Sequence, residues 1–251
     1  MMATQELVVR PCESLGELEA CVDLQMQIWG YSERDAAPAH VLVVAAKTGG
    51  HVLGAFFAGR QVGFALAFAA RHHGRDYLYS HMVAVLPEYR NRGIGRALKL
   101  KQREHALAQG LDLIEWTFDP LEIKNAHFNI VGLGVIIRRY LPNHYGRTSS
   151  PLHAGLPTDR LLAEWWLNSS RVTATISGKC VSSFGESVRI TVPVNLSRLR
   201  LSAPAEAQEL QTAIRSEFLS RLRAGFVVTG FEHDSSAACY ILQPASSVEL
   251  G

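Results

Sequence analysis

The stretch Val83-Ala84-Val85-Leu86-Pro87-Glu88-Tyr89-Arg90-Asn91-Arg92-Gly93-Ile94-Gly95-Arg96-Ala97-Leu98 constrains this chain more than any other. An apolar, β-branched run gives way to a basic segment with two glycines, and a helical pattern follows with no linker between them. A strand running through such a loop straight into a helix presents unpaired backbone N–H groups and the positive end of a helix dipole to one point in space. The layout suits a pyrophosphate, so a phosphate-bearing cofactor is the first hypothesis.

Composition narrows the setting. With 251 residues and 47% of them apolar, the chain can bury one large core, or a medium core and a small one, and no bias toward disorder is present. The first eleven residues lack the apolar centre and small-residue cleavage site of a secretory leader, and runs such as His40 to Ala46 are too short to span a bilayer. Cys12, Cys21, Cys180 and Cys239 are widely spaced with no C-x-x-C pair, which supports neither a disulfide framework nor a zinc site. The expectation is a soluble protein of the reducing cytoplasm, without metal and without a membrane partner. A net charge of +2 gives no polyanion signal, yet Arg90, Arg92, Arg96, Lys99, Lys101 and Arg103 crowd one segment against Glu88 and Glu104. Such a run is ordinarily a solvated helix face; the glycines just ahead of it favour an anion site. No aromatic interleaving accompanies the cluster, so nucleic acid is not an expected partner.

Periodicity predicts a strand over Glu6 to Pro11 and a helix from Ser14 to Trp29, with Ser14 and Glu17 as capping residues. A second helix is expected over Pro38 to Lys47. Extended patterns at His51 to Phe57, Gln61 to Arg71 and Asp76 to Leu86, separated by glycine turns, predict three antiparallel strands. A helix over Ile94 to Ala108, a buried strand over Leu111 to Phe118, a helix over Leu121 to Leu133 and a strand over Val135 to Tyr140 follow. After a long loop, Pro142 to Thr158, comes a strand at Asp159 to Leu167. A composition break at Asn168 to Val172 divides residues 1–168 from a small α+β extension, 169–251. That tail contains a strand at Val188 to Val194, a helix at Pro204 to Arg223 with a Leu210, Ile214, Phe218, Leu222 stripe, and a hairpin over Phe226 to Gln243.

No G-x-x-x-x-G-K-[ST] occurs, and Gly93-x-Gly95-x-x-Leu98 lacks the third small residue of a dinucleotide fingerprint, which removes ATP and NAD motifs. What does occur is Arg90-x-x-Gly93-x-Gly95 after Val85-x-Pro87 on a strand, with Leu133-Gly134-Val135 downstream. In these residues, and in the strand and helix order over Glu6 to Asn168, the chain resembles the GCN5-related N-acetyltransferase (GNAT) superfamily. Asp119-Pro120-Leu121, Asn125-Ala126-His127-Phe128-Asn129 and Gly155-Leu156-Pro157-Thr158-Asp159-Arg160 are similar to a poorly characterised bacterial subgroup of it. The resemblance implies an α/β fold with a mixed, mostly antiparallel twisted sheet flanked by helices. It also implies acyl-coenzyme A as cosubstrate and direct transfer of an acyl group, by default acetyl, to an amine.

The same resemblance implies that Arg90, Asn91, Arg92, Gly93, Ile94, Gly95 and Arg96 hold the pyrophosphate. Met82, Val83 and Val85, beside a strand bulge, would hold the pantetheine and polarise the thioester carbonyl. Physical reasoning agrees with the loop: several N–H donors without intervening side chains need glycine, and the phosphates need cations, which Arg90, Arg92, Arg96 and Lys99 supply. An alkyl amine with a pKa near ~10 is neutral about one part in 10³ at pH 7, so a proton acceptor is useful. His81 is the leading candidate. It lies two residues before Val83, where simple alternation shares a face with Val83 and Val85, and His81-Met82-Val83-Ala84-Val85 is similar to the H-x-L-A-V segment of arylalkylamine acetyltransferases. A buried core histidine is the structural alternative. The tyrosine that usually serves as general acid in the family falls at Ile130 here, leaving Tyr140 and Tyr145 as candidates, or no dedicated acid. Asn125 and His127 could touch cofactor or substrate, or serve as a helix cap and a surface histidine. Glu115 and Trp116 could line an acceptor pocket. Arg138, Arg139 or Arg160 could hold a substrate carboxylate, and the loop with His144, Tyr145, Arg147, His153, Asp159 and Arg160 could act as a lid. The acceptor expected is a small-molecule amine, an amino acid being one option, and the tail either packs on the first domain or mediates a homodimer. A non-catalytic acyl-coenzyme A sensor is the alternative reading.

Overall fold

The computed structural model describes residues 6–146, 155–179, 185–194 and 196–249. Among these, 6–114 form one compact unit and 115–249 a second.

The first unit runs β1 (Leu7–Pro11), α1 (Leu15–Trp29), α2 (Ala39–Lys47), β2 (His51–Phe57), β3 (Arg60–His72), β4 (Arg75–Val85) and α3 (Ile94–Ala108), in the order read from the sequence. Ser14 caps α1 by accepting the Glu17 N–H at 3.2 Å. The Glu17 carboxylate reaches back to the Glu13 N–H at 2.7 Å and to the Arg10 guanidinium at 2.7 Å, so the cap also fastens the helix to β1. That Arg10 contact is the main reason the Glu17 pKa sits down at about 2.

β1 to β4 form an antiparallel meander. Directly opposed residues share a face, so Leu53, Ala65 and Val83 form one row, and His51, Ala67 and Ser80 another row on the same side. α3 covers this side, since Gln102 and Lys99 hydrogen-bond to His51 and Ser80. The opposite side carries Phe64 and Ala84, with Trp29 of α1 set edge-on to Phe64 at 6.1 Å. The core of the unit includes Leu18, Leu24, Leu42, Leu53, Phe64, Leu66, Ile94 and Leu98, all buried. Each such side chain contributes about 1.5–3 kcal/mol through burial.

The second unit contains α4 (Ile123–Ala126), β6 (Ile136–Leu141), β7 (Arg160–Trp166), α5 (Ser170–Ile176), β8 (Val188–Pro193), α6 (Leu196–Ser202), α7 (Pro204–Arg223), β9 (Phe226–His233) and β10 (Ala237–Pro244). β5 (Leu113–Phe118) crosses the boundary in sequence, and the strands of the second unit follow the order β5-β7-β6-β9-β10-β8. β6 pairs antiparallel with β7 and β9, and β10 antiparallel with β9 and β8. The residue at which the composition changes, 168, lies inside this unit. Ile137 of β6 pairs with Val228 of β9, and the buried Tyr240 hydroxyl of β10 donates to the Pro120 carbonyl at 2.6 Å.

Four elements differ from expectation. The regular helix predicted over Leu121 to Leu133 begins at Ile123 and passes into a π-helical turn over His127–Gly132, a wider winding that hydrophobic spacing does not reveal. α5 and α6 have no counterpart among the predicted elements, both being too short to show a hydrophobic period. On α7 the buried stripe is Ala207, Gln211, Ile214 and Phe218; Ile214 and Phe218 are as predicted, while Leu210 and Leu222 are only partly buried. Among the described residues no helix is long and apolar enough to cross a membrane.

Candidate active site

β4 ends at Val85, a single 3₁₀ turn spans Pro87–Tyr89, and the chain then enters α3. Asn91 and Gly93 both take left-handed backbone conformations, at φ 60° and 77°, which turns the chain sharply enough to aim the first turn of α3 out of the loop. Asparagine and glycine are the residues that adopt this region at least cost. Gly93 accepts the first helical hydrogen bond, from Ala97 N–H at 2.9 Å, so the N–H groups just after Gly93 have no intrahelical acceptor.

Gly95 is the more telling glycine. Its φ is not in the left-handed region, and a Cβ placed there meets no protein atom within 4 Å. A glycine inside a helix costs about 1 kcal/mol relative to alanine, and no contact among the described residues requires it. The space above Gly95 is open, which leaves room for a group such as a pyrophosphate to approach the helix N-terminus from outside. The residues fit such a group.

The cations of the loop are positioned from behind. Arg90 Nε donates to the Val85 carbonyl at 3.1 Å, fastening the loop to the strand end, and Arg92 lies over the Tyr89 ring at 5.3 Å and the Phe57 ring at 6.0 Å. Arg60 also lies over Tyr89 and pairs with Glu88 at 3.8 Å. This aromatic bed under the arginines was missed in the sequence, because Phe57 is remote and Tyr89 reads there as an ordinary loop residue. Lys99, expected among the phosphate ligands, is excluded by its position. It is only 3% exposed, donates to Ser80 Oγ at 2.8 Å, and burial holds its pKa well below the usual lysine value.

The bulge implied by the family resemblance is present and lies at His81. Leu66 opposes Met82, Ala67 opposes Ser80, and His81 has no partner on β3, leaving its backbone groups outside that ladder. The extra residue reverses the alternation. Ser80, not His81, shares the face of Val83 and Val85, and the His81 ring lies instead with Phe68 at 5.7 Å and Tyr79 at 6.3 Å. His81 is exposed, yet partial desolvation lowers its pKa from the usual histidine value, which favours the neutral imidazole whose lone pair can accept a proton. Met82, Val83 and Val85 are half-buried at the end of the same strand.

The remaining candidates belong to the second unit. Tyr140 is buried and its hydroxyl donates to Asp159 at 2.6 Å, while Arg215 clamps both oxygens of that carboxylate. Burial, then the Asp159 contact, push the Tyr140 pKa far upward, so its proton is committed. Tyr145 is exposed, shares a hydrogen bond with Thr117 Oγ1 at 2.8 Å, and has Arg160 over its ring at 5.4 Å. Asn125 is exposed on α4, His127 lies beside His233 at 5.1 Å, and Ile130 is buried. Trp116 and Trp165 pack edge-on in the core. Arg138 and Arg139 are paired with Glu164 and Glu115, so a substrate carboxylate would have to displace an internal one. His144 N–H bonds to the Thr158 carbonyl at 2.9 Å; Arg147 and His153 lie outside the described residues.

Residues 18–128 match the family model described as "Acetyltransferase (GNAT) family". This segment belongs to the GNAT family. The GNAT domain so defined contains the bulge, the loop, α3, β5 and Asn125. Solved structures share its fold. A GNAT-family acetyltransferase structure from Desulfovibrio desulfuricans is 15% identical, covering 64% of this chain and 99% of that one at a TM-score of 0.53. The ribosomal-protein-S18-alanine N-acetyltransferase from Escherichia coli is 13% identical, covering 66% and 96% at a TM-score of 0.52. A structure of the NatC complex bound to Gag peptide and CoA is 17% identical, covering 63% and 97% at 0.50. No curated protein matches the chain. At these identities the likeness is one of fold: a mixed α/β arrangement with mostly antiparallel strands flanked by helices.

Proposed function

We propose that this protein is an N-acyltransferase that moves an acyl group, acetyl by default, from acyl-coenzyme A to a primary amine of a small molecule by direct attack. The observation that carries the reading is the open space above Gly95 at the N-terminus of α3, backed by Arg90 and Arg92, in the segment that matches the GNAT model. The structural neighbour bound to CoA adds support for the cosubstrate.

The N–H groups of the first turn of α3, with Arg90, Asn91, Arg92 and Arg96, would hold the pyrophosphate. Acyl-coenzyme A brings a thioester already activated toward attack. Backbone groups at the bulge, outside the β3 ladder, would bind the thioester carbonyl where negative charge develops. The neutral imidazole of His81 would take the proton from the amine, directly or through water. Of the two tyrosines considered for returning a proton to the departing thiolate, Tyr145 is exposed, with its hydroxyl shared with Thr117, whereas the buried Tyr140 hydroxyl is committed to Asp159.

A second reading, a non-catalytic acyl-coenzyme A sensor, is favoured by one observation: the family's acid position is the buried Ile130. Thiol release measured with acetyl-, propionyl- and succinyl-coenzyme A over panels of amines and amino acids separates the two. Acceptor-dependent release is expected of the enzyme; tight coenzyme A binding with no release from any pair would establish the sensor.

A further inference from the structure

We infer that Cys12 and Cys21 form a redox-active dithiol site that closes to an intramolecular disulfide when the Cys12 thiolate attacks a small-molecule disulfide. Nine positions apart in sequence, the two thiols show no motif spacing, yet the end of β1 and the middle of α1 bring their sulfurs to 3.9 Å. This is about 2 Å longer than a disulfide bond.

The site is built around the pair. Gln61 Nε2 donates to Cys21 Sγ at 3.1 Å and reaches Cys12 Sγ at 3.8 Å. The Cys12 N–H bonds to the Val52 carbonyl at 2.9 Å, which fixes the backbone that presents the thiol. Gly54 lies close by: a Cβ there would meet the Phe56 ring at 2.6 Å and come within 3.3 Å of Cys12 Sγ, so the absent side chain leaves room for both. Accessibility divides the labour: Cys12 is partly exposed and Cys21 is fully buried. The ionisation preferences agree with this order, since the Cys21 contact lowers the Cys12 pKa while the same contact and burial raise that of Cys21.

The chemistry balances as an exchange. The Cys12 thiolate attacks one sulfur of a low-molecular-weight disulfide, forming a mixed disulfide and expelling one thiolate. Cys21 then loses its proton to solvent and attacks Cys12 Sγ, expelling the second thiolate. The two cysteines are oxidised by two electrons, and the small disulfide is reduced to two thiols.

The test uses the full-length protein, treated natively with oxidised glutathione, alkylated and mapped by mass spectrometry. Cleavage at Glu13, Glu17 and Glu19 separates the two cysteines. The expected product is a linked peptide pair joining Cys12 to Cys21, with Cys239 still alkylated, and the Cys21→Ser variant should retain glutathione on Cys12. Glutathione persisting on Cys12 in the wild-type protein, linkage of Cys12 to Cys180 or Cys239, or full alkylation of both thiols would each overturn the inference. If Cys21→Ser does not fold, the wild-type map decides alone.

Discussion

His81 shows how much one residue's meaning depends on its neighbours' register. Its position two residues before Val83 suggested a shared face, and the bulge cancels that reason by placing the ring with Phe68 and Tyr79. What remains is a neutral imidazole beside a strand end in the GNAT domain. Replacing His81 with Ala should lower kcat by about 10²-fold at pH 7, and less at pH 9, where more amine is already neutral. An unchanged rate from pH 6 to 9 would remove His81 as the proton acceptor. Lys99 teaches the converse. In sequence it is one more cation in a basic run, whereas in the structure it is a buried donor to Ser80. Lys99→Met should leave coenzyme A affinity within twofold of wild type, with stability changed by no more than about 1–2 kcal/mol; a tenfold loss of affinity at retained stability would return it to the phosphate site. Neither burial nor a bulge leaves a trace in residue spacing, which is why the loop glycines were legible and these two residues were not.

The elements legible in the sequence were those with both a periodic face and a clear stop. α3 was bounded by Gly93 and Gly110, and β2 to β4 were separated by turns, so their limits came out close. The π-helical turn at His127–Gly132 and the short α5 lack such signals. Between the elements of the first unit, one polar chain runs from Lys99 to Ser80, Gln102 and His51, linking β2, β4 and α3. Burial, with His105 and Lys99 nearby, lowers the His51 pKa to about 3, so the unfolded chain binds the extra proton between pH 6.5 and 3. Stability should therefore be complete above pH 6.5 and fall with acid through that window. The loss due to this group is on the order of 5 kcal/mol over the whole window. Urea denaturation of wild type and His51→Gln across pH 4 to 7 checks this; parallel pH profiles would contradict it.

For the molecule as a whole, the tail beyond residue 168 contributes strands and helices to the second unit rather than appending to it. β9 pairs with β6, Tyr240 bonds to Pro120, and Arg200 reaches Asp119 at 2.7 Å. A chain ending at 168 would expose the β6 edge and leave Asp119 and the Pro120 carbonyl without these partners. It should be insoluble or lose its cooperative melt, and a soluble, fully cooperative truncation would refute this view. The proposed function depends most directly on the space above Gly95. Isothermal titration of coenzyme A into wild type and Gly95→Leu measures it. The expected result is saturable one-to-one binding to wild type and at least a tenfold loss in Gly95→Leu, whose thermal stability is kept or raised by up to about 1 kcal/mol through helix propensity. No binding to wild type, or equal affinity in a folded Gly95→Leu, would contradict a pyrophosphate seated at this loop.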